Sequence, residues 1–193
     1  MLPLRFLREF VGSTHTVGAI WPSSPFLADL IVEVADVDRA RSIVELGPGE
    51  GSFTGHILKS KRTDAAFLAL EKNEAFARFL KSRYPHARVV EGCATQLGRH
   101  ADEHAMDEVD RVVSGLPWAI FPGELQQQIL LQIHATLRPG GVFTTFAYYG
   151  PHLLPAGRAF RNRLESLFSS VETSRVEVRN FPPAFVYRAL RGT

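Results

Sequence analysis

At 193 residues, with 45% hydrophobic and 22% charged side chains, the chain has the size and composition of a single domain that buries its own core. A formal net charge of +2 does not force nucleic-acid binding. No apolar run approaches the ~18 residues of a membrane span, and no succession of basic, apolar and small residues marks a secretory leader. The one cysteine, Cys93, excludes an intramolecular disulfide and fits a reducing cytoplasm. Charge is unevenly spread: from Arg158 onward seven arginines face three glutamates, whereas residues 102–110 are acidic. A basic tail of this kind is either a solvated surface or a contact for anionic lipid heads or phosphates.

Residues 4–11 place Leu4, Phe6, Leu7 and Phe10 at helical spacing with arginines between them, which suits either a helix over a ligand cleft or a membrane-interface helix. Residues 12–19 read as a loop. Ser24-Pro25 supplies an N-cap and a first-turn proline for a helix to about Ala35, with Phe26, Leu27, Leu30, Ile31 and Val34 on one face. Residues 42–46 form a short buried strand, and a helix starts near Ser52. Between them, Gly47, Gly49 and Gly51 recur on alternate positions. Such a turn bends sharply and brings a ligand against its N–H groups, at the positive end of the next helix, so it predicts an anion site. Serine at 52 breaks the dinucleotide spacing Gly-x-Gly-x-x-Gly, and no Lys-Ser/Thr pair is present for a P-loop.

Residues 66–70 are an apolar strand, and Glu71 stands at its carboxyl end, where open parallel sheets bind ligands and an acid can accept from two ribose hydroxyls. A helix with Phe76, Phe79 and Leu80 ends at Tyr84-Pro85, and residues 88–91 form a third strand, followed by Gly92-Cys93-Ala94. Residues 110–113 form a fourth strand that runs into Ser114-Gly115-Leu116-Pro117-Trp118, a turn with an aromatic beside it. Residues 124–137 form a helix on Leu125, Ile129, Ile133 and Leu137, and residues 142–148 a buried strand ending in Tyr148-Tyr149. A helix over 158–168 and strands over 174–178 and 184–190 complete the chain. His100 and His104 have metal-ligand spacing, but they lie among carboxylates with no third ligand and no convincing helix, so no metal site is expected.

Glu45-x-Gly47-x-Gly49-x-Gly51 resembles the first motif of class I S-adenosylmethionine (SAM) methyltransferases. The resemblance implies an α/β fold, a doubly wound, mostly parallel seven-stranded Rossmann-like sheet, with SAM as cofactor held by Glu45, Gly47, Gly49, Gly51 and Glu71. Gly92-Cys93-Ala94 stands where that class often has Gly-Asp-Ala. Cys93 replaces the aspartate, which shifts adenine recognition to backbone at Cys93 and Ala94 or to Gln96. Ser114-Gly115-Leu116-Pro117 resembles the Asn/Asp-Pro-Pro-Tyr-like motif of enzymes that methylate an amino nitrogen. Serine in place of asparagine argues against the rRNA-adenine branch.

Four segments look like bacterial phospholipid N-methyltransferases, which methylate phosphatidylethanolamine: residues 6–10, 17–24, 114–117 and the Arg179-Asn180-Phe181-Pro182-Pro183-Ala184-Phe185-Val186-Tyr187-Arg188 ending. The resemblance implies one domain over 1–193, with residues 1–38 as a helical arm over the cleft, a phospholipid substrate, and peripheral contact with an anionic membrane at its cytoplasmic face. Ser114 and Leu116 are expected beside the transferred methyl, and position makes Tyr148, Tyr149 and His15 candidate proton acceptors. Trp118 and the tyrosines are either a wall for the methylated cation or core packing. An RNA adenine or small-molecule N-methyltransferase, or a non-catalytic SAM-fold protein, is the alternative function.

Overall fold

A computed structural model describes residues 23–193. The expected helix at 4–11, the loop at 12–19, the greater part of segment 17–24 and His15 lie outside the described residues.

The chain enters through helix α1 (Pro25–Val34), where the Ser24 hydroxyl accepts from the Leu27 N–H at 3.2 Å and proline occupies the first turn. Strand β1 (Ser42–Leu46), helix α2 (Thr54–Ser60), strand β2 (Ala66–Glu71), helix α3 (Glu74–Arg83) and strand β3 (Arg88–Glu91) follow. Then come helix α4 (Leu97–Glu103), strand β4 (Val109–Ser114), helix α5 (Gly123–Thr136), strand β5 (Leu137–Tyr148), helix α6 (Pro155–Leu167), and strands β6 (Ser170–Thr173) and β7 (Ala184–Leu190). The seven strands form one sheet in the order β3-β2-β1-β4-β5-β7-β6. β1 to β5 are parallel, and β7 is antiparallel to both of its neighbours. The expected doubly wound, mostly parallel sheet is therefore present.

Strand alternation explains the two layers. Val44, Leu46, Leu68, Leu70 and Val112 point to one face, where α4, α5 and α6 contribute Leu97, Ile129, Ile133 and Leu164. Ile43, Phe67, Ala69 and Val113 point to the other, against Leu27 and Ile31 of α1, Ile57 of α2 and Leu80 of α3. Because both faces are covered, β2 reads as a continuous apolar run over residues 66–70 rather than an alternating one. At the amino edge, Asp110 accepts from the Arg41 and Ser42 N–H groups at 2.6 and 3.2 Å and pairs with Arg138, which pins β1 to β4 and β5. The buried Arg111 donates to the Ala35 carbonyl at 2.5 Å, placing a cation on the carboxyl end of α1.

Four expected boundaries change. β5 starts at Leu137 rather than 142, because Leu137 pairs with Val109 before a register shift at the Pro139-Gly140-Gly141 step. Residues 174–178 make only an isolated Glu177–Ala184 bridge, and the edge strand lies earlier, at β6. α6 begins at Pro155, whose fixed φ suits a first turn. The stretch holding His100 is helical, as α4, although its sequence predicts no convincing helix.

Candidate active site

β1 and β4 are adjacent, yet their connections leave in opposite directions, so the carboxyl ends of these two strands open the crevice in which such sheets bind ligands. The glycine loop leaves β1 here. Gly47, Gly49 and Gly51 have φ of +64°, +56° and +88°, a region costly for residues with a Cβ. At Gly49 an added Cβ meets nothing within 4 Å among the described residues. The N–H groups of the three glycines are themselves paired. The Gly47, Gly49 and Gly51 N–H groups donate to the Leu70 carbonyl, the Glu71 carboxylate and the Pro48 carbonyl, at 3.0, 2.9 and 2.9 Å. These glycines therefore offer a ligand close approach to the backbone rather than three unpaired donors.

Glu71 organises the loop from β2. Its Oε2 accepts from the Gly49 N–H at 2.9 Å and its Oε1 from the Asn73 N–H at 2.8 Å. A carboxylate has roughly four lone-pair sites, so acceptor positions are left over after these bonds. Glu45 differs. It is fully buried, its Oε2 accepts from the Thr54 hydroxyl at 2.8 Å, and its Oε1 has no partner among the described residues. Burial pushes its pKa up to about 8, the Thr54 bond opposes that rise, and the nearby Glu71 charge adds to it. Glu45 is therefore a neutral acid at pH 7, able to donate from its second oxygen.

This carries a stability consequence. The folded pKa lies above the ordinary 4.5, so the contribution is complete below 4.5 and is lost as the pH climbs to about 8. Glu45→Gln keeps an acceptor for Thr54 and carries no charge. In urea denaturation of the cofactor-free protein it is expected to flatten this fall and to exceed the wild type at pH 8 and above by on the order of 4 kcal/mol.

The turn after β4 closes on the glycine loop. A Cβ on Gly115 would stand 2.7 Å from the Gly47 carbonyl oxygen, and one on Gly47 would meet Leu116 Cδ2 at 2.6 Å. The two loops are thus in direct contact, with Leu116 lying over Gly47. Ser114 is fully buried. Its hydroxyl accepts from the Leu116 N–H at 3.2 Å and its carbonyl from the Thr145 hydroxyl at 3.1 Å, so the side chain shapes the turn. Trp118 is a core residue rather than a cleft wall. It is 4% exposed, stacks on Phe160 at 5.0 Å and donates its indole N–H to Thr145 at 3.0 Å. Tyr148 ends β5, and burial pushes its phenol pKa up, which keeps it protonated at neutral pH. Tyr149 is exposed, and its N–H donates to the Pro183 carbonyl at 2.8 Å.

Cys93 and Ala94 are half-buried beyond β3, next to Gly92, whose N–H donates to the Glu71 carbonyl at 2.9 Å. Cys93 Sγ accepts from the Thr95 hydroxyl at 3.1 Å. Burial alone would raise the thiol, but the Thr95 bonds and the Lys72 charge outweigh it and hold its pKa below the ordinary value. The His100 ring packs against Gly92, and no cluster of three potential metal ligands occurs among the described residues.

The same end of the molecule carries an apolar rim. Six of the nine large apolar side chains exposed among the described residues are Phe26, Tyr149, Leu153, Leu154, Val178 and Phe181. Their segments are joined by the Tyr149–Pro183 bond, by the Ser24 N–H donating to Asn180 at 3.0 Å, and by Arg179 lying 4.0 Å over the Phe26 ring.

Thr54, Thr145 and Gln126 escape a reading of motifs, since polar residues on strands and helices look like ordinary solvated positions. The signal for Thr54 is its spacing: a hydroxyl nine residues past Glu45, just beyond the glycine turn.

Together, the strand order, the positive-φ glycine loop and an acid at the end of β2 define a class I SAM-dependent methyltransferase. Its cofactor suits the residues present, because among the described residues an added Cβ at Gly49 meets nothing within 4 Å and Glu45 keeps one buried oxygen without a partner. Over 185 residues the chain is 31% identical to the ornithine lipid N-methyltransferase of Singulisphaera acidiphila, across 94% of this chain and 92% of that one, and it belongs to the same family of SAM-dependent methyltransferases. It is also 31% identical over 90 residues to a ribosomal RNA small subunit methyltransferase A of Chlorobium phaeobacteroides, across 47% of this chain but 32% of that one. An O-methyltransferase of Bacillus cereus, solved with SAH, shares the fold with a TM-score of 0.69 at 14% identity, across 99% and 93% of the two chains. No family model matches the chain.

Proposed function

We propose that this methyltransferase N-methylates the primary amine of a membrane-lipid headgroup, with phosphatidylethanolamine as acceptor. The likeness to a lipid N-methyltransferase along nearly the whole chain is the observation that carries the lipid class. The apolar rim at the site end supports it, since a diacyl substrate must present its headgroup while its chains stay in an apolar phase.

SAM supplies an electrophilic methyl on a sulfonium. Glu71 accepts the ribose hydroxyls with the lone pairs left after its two backbone bonds, and Gly47, Gly49 and Gly51 let the amino-acid end of the cofactor lie against bare backbone. Glu45 donates from its unpartnered oxygen, while Cys93 and Ala94 border the adenine. Ser114 to Leu116 border the acceptor nitrogen, which must arrive without its proton. An alkylammonium has a pKa of roughly 10, and partial desolvation in the crevice lowers it. Tyr148, kept protonated, accepts only a hydrogen bond from the amine and so orients it, while the proton itself leaves to water directly or by way of His15 or Tyr149. Most of the rate then comes from alignment. Of the expected arm, α1 packs into the sheet layer through Leu27 and Ile31, so the part over the cleft is the stretch before it, and the single domain meets an anionic bilayer peripherally at its cytoplasmic face. No helix among the described residues is long and apolar enough to cross a membrane.

The name of the Singulisphaera relative favours ornithine lipid as a second acceptor. Incubation with methyl-labelled SAM and vesicles of phosphatidylethanolamine, of ornithine lipid, or with ribosomal RNA decides among these. Label in phosphatidylethanolamine is the expected result, and label in RNA alone would overturn the lipid reading.

A further inference from the structure

We propose that Gln126 is a positioning residue for the methyl-acceptor turn, acting as a buried amide brace oriented by Arg163. The inference rests on the reading of residues 114–117 as the acceptor turn, and it extends that reading to a residue outside every motif.

Gln126 sits in the first turns of α5 and is 5% exposed. Its Nε2 donates to two carbonyls of the short helical turn that directly follows residues 114–117, Trp118 at 2.8 Å and Phe121 at 3.0 Å. Its Oε1 accepts from Arg163 Nη1 of α6 at 3.1 Å. The orientation of the amide follows from its partners: carbonyls cannot donate and a guanidinium cannot accept, so only this arrangement satisfies all three bonds. Arg163 reaches this position across the start of α5, where Gly123 makes room; a Cβ there would stand 2.5 Å from Arg163 Nη2.

The brace completes a chain of polar contacts around the turn. Trp118 donates to Thr145, and Thr145 donates to the Ser114 carbonyl, so the turn is held at its start by β5 and at its end by Gln126. Trp118 is already anchored by ring contacts with Phe160, Phe143 and Phe121. Apolar packing therefore fixes where the turn lies, whereas the directional bonds fix how its carbonyls and the adjoining Leu116-Pro117 face the crevice. A misplacement of about 1 Å can cost on the order of 100-fold in rate.

The test is Gln126→Glu, which has the same shape, keeps the bond from Arg163 and cannot donate to either carbonyl. With amine-headed lipid as substrate, kcat is expected to fall by about 10- to 100-fold, with the dissociation constant of SAM within about twofold of wild type. Amide hydrogen exchange over residues 115–121 is expected to accelerate in the cofactor-free protein, where no turnover is needed. Arg163→Gln is expected to move kcat in the same direction by a smaller factor. An unchanged kcat and unchanged exchange in Gln126→Glu overturn the proposal. So does a loss of rate matched by equal losses of cofactor affinity and thermal midpoint, which would mark general destabilisation. If the wild type itself methylates no amine, the acceptor reading has failed instead, and the exchange measurement alone then decides for or against the brace.

Discussion

Replacing Glu71 with alanine is expected to weaken SAM binding by about 100-fold while leaving the protein folded. The size follows from the role proposed for the carboxylate: two charge-assisted bonds to ribose hydroxyls would be worth roughly 1.5–3 kcal/mol each, partly recovered by water in the variant. The same substitution removes the acceptor for the Gly49 N–H, so the loop loses the contact that ties it to β2. Glu71→Gln separates the two effects. It retains one acceptor oxygen, and its amide cannot accept on the other side, so a loss of about tenfold is expected. Isothermal titration with SAM and with its demethylated product measures both. Affinity within twofold of wild type in Glu71→Ala would remove the acid from the cofactor site.

The second large effect is expected at Gly115. Its missing Cβ faces the Gly47 carbonyl at 2.7 Å, an atom of a backbone that β2 and the end of β4 hold from both sides. The Gly47 N–H donates to the Leu70 carbonyl and the Gly115 N–H to the Leu46 carbonyl, at 3.0 and 2.9 Å. Neither strand end yields without breaking these bonds. Gly115→Ala therefore has to push the two loops apart, with an expected cost of about 1–3 kcal/mol in stability. Methyl transfer is expected to fall by on the order of 100-fold, because the surfaces displaced are the two loops proposed to hold the cofactor and the acceptor. Gly49→Ala is the contrast, since a Cβ there meets nothing among the described residues and the positive φ is what is penalised. Thermal unfolding and single-turnover rates distinguish the two variants; equal behaviour would mean that the contact between the loops does not matter.

The frame of this molecule is legible in its sequence because the signals are local. The glycine spacing, the Ser24-Pro25 cap and the buried runs of β1 and β2 each follow from a few neighbouring residues, and the elements they mark lie within one or two residues of the expected bounds. What is not legible depends on distant partners. β6 is half exposed and exists because β7 pairs with it, so nothing in its four residues announces a strand. Residues 174–178 have strand-like composition, yet the Ser174 and Glu177 side chains bind backbone nearby and leave no ladder. Trp118 follows a turn, where an aromatic reads equally as a cleft wall; only the Phe160 ring from α6 and the Thr145 hydroxyl from β5 decide for the core. In the site, Glu71 follows from strand logic. The neutral state of Glu45 needs the burial that the fold imposes, and Gln126 needs the three partners brought to it by two helices and a turn.

The insertion of β7 between β5 and β6 also sets the order in which the chain can mature during synthesis. β5 gains its second neighbour only after residues 184–190 have been made, although the glycine loop, Glu71 and the acceptor turn are complete by residue 121. Until then one long margin of the nascent sheet, with Phe143 and Phe146 on it, stays open to wrong partners. The nascent protein thus passes through an interval in which the loops of the candidate site exist but the strand that closes off β5 does not, and mispairing along that margin is then easiest.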